Sequence, residues 1–301
     1  MCSELRKTGD NIFPKPLQAA LGISVVIRTH NSSATLGLVL ARLQLKAADD
    51  LIIVDSGSID STLALAKTYG ARIIRTEPPF NYSASLNRGF EAAINEWVLV
   101  LSSHTIPTSD DFLTNIRRFT GSAPEDVVVG FGARVFKESQ ALSTSTGPWY
   151  ERMPKTNFVW GAGNTLAVYR RRAWEIRGFR PDLRTAEDLE WFIWATSSGF
   201  SGATMRGVAG IYRNQGSCAH MFRKGWLEER QARLLMPQRR LSFCRGLVNL
   251  AIGMAYFSKL WVIGDLSFCA MARQQSHHVG ACLAALRFSS KPARLSAVSN
   301  V

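Results

Sequence analysis

The sequence predicts an α/β fold with a mainly parallel central sheet and helices on both faces. Three observations predict it. Apolar runs and helical patterns alternate four times between residues 23 and 101, as repeated βαβ units do. The runs are continuously apolar, as strands buried on both faces are. Each run ends in a polar cluster, and open α/β sheets bind ligands at the carboxyl ends of their strands.

Ile23–Arg28 (ISVVIR) is the first strand. Leu36, Val39, Leu40 and Leu43 follow at i, i+3, i+4 and i+7, one face of a helix. Leu51–Val54 is the second strand, and Ser58–Tyr69 a helix stopped by Gly70. Arg72–Arg75 is a short third strand, Ser83–Asn95 a helix and Trp97–Leu101 the fourth strand. Val127–Val135 reads as a further strand, Tyr169–Ile176 and Ala186–Ser198 as helices. Residues 137–160, rich in Ser, Thr, Pro and aromatics, read as a long irregular loop. The polar clusters are His30-Asn31, Asp55-Ser56-Gly57-Ser58, Arg75-Thr76-Glu77 and Ser102-Ser103-His104. They are predicted to converge on one crevice.

Composition bounds the function. The 301 residues are 46% apolar and 20% charged, which describes a globular chain and excludes disorder and coiled coil. The net charge is +13, and residues 221–301 hold 12 Lys+Arg against 3 Asp+Glu, so +9 of it lies there. Five widely spaced cysteines without a CxxC pair indicate neither a zinc site nor a disulfide framework, consistent with a reducing compartment. Residues 1–22 lack the apolar core of a signal peptide. Gly246–Ser258 is shorter than the roughly 20 residues a spanning helix needs. No GxGxxG follows a strand, and neither a Walker A nor a GxSxG motif occurs. A nucleotidyltransferase would want a glycine-rich loop after its first strand, and Arg28–Ala34 has no glycine.

Six segments together resemble the family-two glycosyltransferases. Ile23–Asn31 is similar to their opening strand and Leu51–Thr62 to their second strand and its Asp-bearing loop. Asn87-Arg88-Gly89 resembles the helix signature that follows, and Trp97–Pro107 the strand that ends in the metal loop. Gly161–Asn164 and Ala186–Trp191 resemble the acceptor-side motifs. Phe80–Gly89 and Leu101–Pro107 look most like the rhamnosyltransferase branch. The resemblance runs over residues 22–220, between a lead of residues 1–21 and a basic, amphipathic helical extension of residues 221–301. It implies a GT-A fold, a nucleotide-sugar donor, a glycan or lipid-linked acceptor and inversion at the anomeric carbon.

The same resemblance distributes roles. Thr29, Asn31, Asp55, Arg88, Ser102, Ser103 and His104 are implied at the nucleotide sugar. Asp55 reads two ways from its residues alone: a contact to base or ribose, or an Asx-turn before Ser58. Arg88 faces either the diphosphate or solvent. Where the family has Asp-x-Asp, this chain has Ser102-Ser103-His104. His104 therefore binds Mn²⁺ or Mg²⁺, binds diphosphate directly, caps the next helix, or marks an inactive site; imidazole suits Mn²⁺ better than Mg²⁺. His220 is the second implied metal ligand. Asp188 is the implied general base, with Glu187 and Glu190 in reserve, although acids at a helix start are also favoured by the helix dipole alone. Trp160, Gly161, Asn164 and Trp191 are implied at the acceptor, the tryptophans either stacking on sugar or packing in the core. Basic and apolar residues interleaved after Met221 suit an anionic membrane surface, the other reading being solvated helices of an ordinary lobe. No nucleic-acid module is visible. The expectation is a peripheral protein at the cytoplasmic, inner face of the cell membrane, working in surface polysaccharide biosynthesis. The altered metal loop keeps open a silent nucleotide-sugar-binding or scaffolding module.

Overall fold

The computed structural model describes residues 22–135, 149–153, 163–183, 185–213, 216–236, 243–262 and 268–287. The chain divides into two compact units, residues 1–213 and 214–301.

In the first unit β1 (Ile23–Thr29), β2 (Asp50–Asp55), β3 (Arg72–Arg75) and β4 (Trp97–Ser102) lie parallel in the order β3-β2-β1-β4. The connections carry α1 (Ser33–Ala41), α2 (Thr62–Thr68) and α3 (Tyr82–Ala92). β1 is central and buried on both faces, which is why its sequence is apolar without alternation. Ile23, Val25 and Ile27 pack with Leu36, Val39 and Leu40 of α1, while Val26 packs on the other face with Leu86 and Phe90 of α3. α2 starts at Thr62 rather than Ser58, because residues 55–61 form a loop in which Asp60 accepts the Thr62 N–H.

Beyond β4 the sheet is mixed, not mainly parallel. β8 (Leu166–Arg170) runs antiparallel to β4 and to β6 (Val127–Val135). β9 (Ser201–Tyr212) runs parallel to β6, and β5 (Thr105–Pro107) and β7 (Tyr150–Arg152) pair antiparallel with β9. The helix predicted over Tyr169–Ile176 is therefore split: Tyr169 and Arg170 finish β8, and α5 spans only Arg171–Ile176. The run LAVY is wedged between β4 and β6, and Arg170 pairs with Glu96 at 2.7 Å with its guanidinium over Trp97. β9 escapes a pattern reading because Gly202, Gly207 and Gly210 interrupt it. Gly202 is there for close packing: a Cβ would meet the Phe192 ring at 2.4 Å. α4 (Phe112–Ser122) and α6 (Glu187–Ser197) complete the unit.

The second unit contains α7 (Cys218–Leu235), α8 (Phe243–Val262) and α9 (Phe268–Arg287), with α7 and α8 both packed on α9. Helix α7 runs across residue 221, where the basic extension was expected to begin. Among the described residues no helix is long and apolar enough to cross a membrane.

Gly89 sets the seat of α3 on the sheet. A Cβ there would lie 2.4 Å from Val26 Cγ1 and 3.3 Å from Val54 Cγ2. We expect Gly89→Ala to cost about 1–3 kcal/mol through overpacking. Gly121→Ala, in α4 with nothing within 4 Å, is expected to be neutral or stabilising by up to about 1 kcal/mol. Denaturant unfolding of the two variants checks the contrast.

Candidate active site

The carboxyl ends of β1, β2 and β4 are joined side by side, as strand register requires: Thr29 lies opposite Asp55, and Arg28 opposite Ser102. Because β8 is antiparallel to β4, its beginning lies beside the end of β4. Leu101 pairs with Leu166, and the Ser102 N–H donates to the Thr165 carbonyl at 3.0 Å. One edge of the sheet thus gathers residues far apart in sequence. Hydrogen bonds knit the four predicted clusters together: Thr29 to Asp55, Asn31 to the 56–60 loop, the Thr76 N–H to the Asp55 carbonyl, and Ser32 to Ser103.

Asp55 is the hub of one side. Its Oδ2 accepts the N–H groups of Gly57 at 3.0 Å and Ser58 at 2.9 Å, and its Oδ1 accepts the hydroxyls of Thr29 and Ser58. This is the Asx-turn geometry, with Gly57 supplying a φ of 91°. Burial resists ionisation of the carboxyl, but the bonds from Ser58, Thr29 and Gly57 outweigh it and hold Asp55 below its ordinary value. Asn31, itself at φ 46°, closes the loop: its N–H donates to Ser58 Oγ and its Oδ1 accepts the Ile59 N–H at 2.9 Å.

The Ser102–His104 turn differs from the residue types expected of a metal loop in a definite way. Ser103 is buried, its hydroxyl 2.9 Å from that of Ser32, so it faces inward. Ser102 Oγ accepts the His104 N–H at 3.3 Å. His104 is half-buried, with Nδ1 3.0 Å from the Thr35 hydroxyl. A hydrogen bond at one ring nitrogen is how a ligating imidazole is normally oriented, so His104 fits a metal or phosphate partner, whereas Ser103 does not. Among the described residues no group of three or more His, Cys, Asp or Glu is assembled.

The acid side is built by α6 and the start of β8. Ala186 enters the helix at φ 61°, a left-handed conformation costing about 1–2 kcal/mol. Glu187, Asp188 and Glu190 then occupy the first turn, where the helix dipole favours negative charge. Asp188 is half-buried; its Oδ2 accepts the Asn164 N–H at 3.0 Å. Gly163 permits this approach, since a Cβ would lie 2.7 Å from that oxygen. Glu187 is buried, and its Oε1 accepts from Asn164 Nδ2 at 3.1 Å and Arg28 Nη1 at 3.4 Å. Tyr169 donates its hydroxyl to Asn164 Oδ1 at 2.7 Å. Burial, with the charges of Asp188 and Glu187 adding, pushes that hydroxyl well above its ordinary value, so it stays a donor.

Packing corrects four of the expected roles, those of Trp191, Glu190, Glu187 and Asn164. Trp191 is fully buried, donates to the Arg177 carbonyl and packs against Tyr169 and Trp194, so it belongs to the core and offers no face to a sugar. Glu190 is buried in ion pairs with Arg177 and Arg180, which removes it as a reserve base. Glu187 is likewise committed, to Arg28 and Asn164. Asn164 is buried, with its N–H on Asp188, its Nδ2 on Glu187 and its Oδ1 accepting from Tyr169, so it positions acids rather than touching an acceptor. Arg88 is exposed on α3, six residues or about 9 Å of helix rise beyond Tyr82. His220 lies in the second unit, exposed in the first turn of α7. Trp160 and Gly161 lie outside the described residues, as does most of the 137–160 loop.

Arg28 is the residue that pattern reasoning missed. Its guanidinium sits 4.8 Å over the Tyr82 ring, donates to the Tyr82 carbonyl and reaches Glu187. The signal was present: a cation at the end of a wholly apolar strand must find a partner.

The Glycosyl transferase family 2 model matches residues 24–180, just over half of the chain. A PGL/p-HBAD biosynthesis glycosyltransferase of Mycobacterium bovis is 32% identical over 120 residues, 37% of this chain and 47% of that protein. An uncharacterized glycosyltransferase of Rickettsia prowazekii is 34% identical over 77 residues, 26% of each chain. The matched stretch thus spans less than half the length of these curated relatives. Among solved structures, the mannosyltransferase PcManGT from Pyrobaculum calidifontis, in complex with GDP-Man and Mn²⁺, superposes with a TM-score of 0.60 at 14% identity, covering 96% of this chain and 93% of that one. TarS of S. aureus, in complex with UDP-GlcNAc, gives 0.54 at 15% identity over 80% of this chain and 73% of that one. At these identities the likeness establishes the GT-A fold.

Asp55 makes stability depend on pH. Its folded carboxyl titrates below its ordinary value, so its stabilising contribution is complete above that value and is lost as pH falls through the lower folded one. An amide at this position would turn a donor toward donors. Asp55→Asn is expected to cost about 1–3 kcal/mol at neutral pH. That deficit is expected to shrink as both proteins are acidified below about pH 4. Urea unfolding across pH measures both.

Proposed function

This chain belongs to glycosyl transferase family 2, and we propose that it moves a sugar from a nucleotide-diphosphate donor to a hydroxyl of a glycan or lipid-linked acceptor, with inversion. The observation that carries this reading is the half-buried Asp188 carboxylate, fixed by the Asn164 N–H on the same sheet edge as the Asp55 loop and His104. The nucleotide sugars held by the mannosyltransferase and by TarS support the donor class.

In the proposed reaction Asp188 takes the proton of the acceptor hydroxyl as its oxygen attacks the anomeric carbon. The carbon–oxygen bond to the diphosphate breaks, and its electron pair leaves with the nucleoside diphosphate. Asn164 holds Asp188 through its N–H and is itself fixed by Glu187, with its Arg28 partner, and by Tyr169, which keeps Asp188 aligned. The 55–60 loop, with Thr29 and Asn31, is assigned to the nucleoside. His104 and Ser102 are assigned to the diphosphate. A divalent cation, Mn²⁺ or Mg²⁺, would be held by His104 together with diphosphate oxygens, and when bound it offsets the charge that builds on the leaving group. A hexose or deoxyhexose donor, a role in surface polysaccharide biosynthesis and a peripheral position on the inner face of the membrane complete the proposal. The charge of +9 in residues 221–301 supports that position.

One observation favours a second reading. Ser102 and His104 stand where the family places carboxylates, so the turn carries no carboxylate of its own. A silent nucleotide-sugar-binding module would bind donor without releasing nucleoside diphosphate.

Turnover separates the two. Asp188→Asn is expected to lower nucleoside diphosphate release by about 10²–10⁴-fold, while the thermal shift given by UDP-, GDP- or dTDP-sugars stays as in the parent chain. Binding with no release by the parent chain under any donor, with Mn²⁺ present, would establish the silent module.

The cation has its own test. Mn²⁺ is expected to tighten donor binding, and His104→Ala to remove that gain, as read by calorimetry. Activity that EDTA leaves untouched would show that diphosphate is stabilised without metal.

A further inference from the structure

Helix α8 presents the wrong chemistry to water. One side packs on α9. A Cβ at Gly253 would lie 2.1 Å from His278 Nε2, Gln275 donates to the Met254 carbonyl and the Ser258 hydroxyl, and Phe257 stands against the His278 ring. The opposite side carries Val248, Ile252, Tyr256 and Val262, which are 55%, 62%, 51% and 75% exposed. Residues 248, 252 and 256 recur every fourth position, so they form one stripe, and Val262 extends it by nearly two turns. Ala251, Ala255 and Lys259 are exposed among them. The helix contains no acidic residue. A solvent-facing helix surface is normally polar; among the described side chains this one is apolar apart from Lys259.

The charge of the same unit selects the occupant. Along α7 the exposed residues Arg223, Leu227, Arg230 and Leu234 fall on one line, arginines alternating with leucines. The acids of α7 are already committed: Glu229 is buried in an ion pair with Arg233 at 2.9 Å, and Glu228 lies 3.7 Å from Lys224. Helix α9 has no acid. Residues 221–301 carry 12 basic against 3 acidic side chains. That excess opposes the pairing of two copies through this face and favours an anionic one. An apolar stripe on a cationic helical unit is the pattern of a helix that lies in a bilayer interface. Among the described residues no helix is long and apolar enough to cross a membrane, α8 included.

We propose that the stripe Val248–Ile252–Tyr256–Val262 is an insertion face, seated at the boundary between headgroups and acyl chains of an anionic bilayer, with the basic side chains of the unit on lipid phosphates. This rests on the membrane-surface reading above and deepens it by naming the face that enters.

Co-sedimentation of the full chain with phosphatidylcholine vesicles, with and without phosphatidylglycerol, tests it. The parent chain should bind the phosphatidylglycerol vesicles at low ionic strength, leave them at high salt, and bind phosphatidylcholine weakly. Ile252→Asp/Tyr256→Asp should weaken binding by about tenfold or more. Its unfolding midpoint and its thermal shift with nucleotide sugar should be those of the parent. Should the aspartate variant fold poorly, Ile252→Ser/Tyr256→Ser gives the same readout with less perturbation. Parent-level binding by a folded variant overturns the insertion face and leaves the membrane reading standing. Absence of binding by the parent at low salt overturns both. A parent dimer in size-exclusion chromatography that the variant disperses would assign the stripe to self-association and overturn the proposal.

Discussion

A buried carboxylate holds the carboxyl edge of the sheet together. Parallel strands leave backbone and side-chain polar groups at their ends that no neighbouring strand satisfies, and those groups must find partners. Asp55 meets the requirement for two loops at once. It ties the end of β1 through Thr29 and folds the chain after β2 through Gly57 and Ser58, while Asn31 fastens the first loop to the second. The charge is kept ionised by donors rather than by a cation. A site that receives a polyanionic diphosphate gains from this, because its framework does not use up its positive side chains.

The two edges of the sheet divide the chemistry. At the amino ends, Asp50 pairs with Arg72, Asp49 with Arg117 and Glu96 with Arg170, all of them closed ion pairs beside the core. At the carboxyl ends the groups are hydroxyls, amides, an imidazole and a half-buried acid, arranged as donors and acceptors with solvent access. The ion pair there between Arg28 and Glu187 is long at 3.4 Å and belongs to the network around Asn164. Stability and reactivity are thus assigned to opposite ends of the same strands.

The parallel half was legible because its strands are unbroken apolar runs and each run ends in a polar cluster. Asp55, Asn31 and the Ser102–His104 turn could be found from that pattern. The antiparallel half was not, for a physical reason: its strands carry glycines where neighbouring rings press close, as Gly202 does beneath Phe192, and such glycines read as turns. The end of LAVYR, Tyr169 and Arg170, was absorbed into a helix because an apolar run of that length has no period of its own. The adjacent acids could be seen but not sorted. Only packing separates Asp188, half-buried at the edge, from Glu187, held by Arg28, and Glu190, held by Arg177. Trp191 was ambiguous for the same reason, since an aromatic beside acids has the same letters in a core as in a sugar site.

The strand reversal between β4 and β8 has a bearing on how this scaffold diversifies. Asp188 is anchored to the backbone of Asn164, which the ladder with β4 fixes in place. Its position is therefore set by main-chain pairing and not by the sequence of the long stretch that precedes it. A change in that stretch leaves this main-chain anchor of Asp188 unaltered.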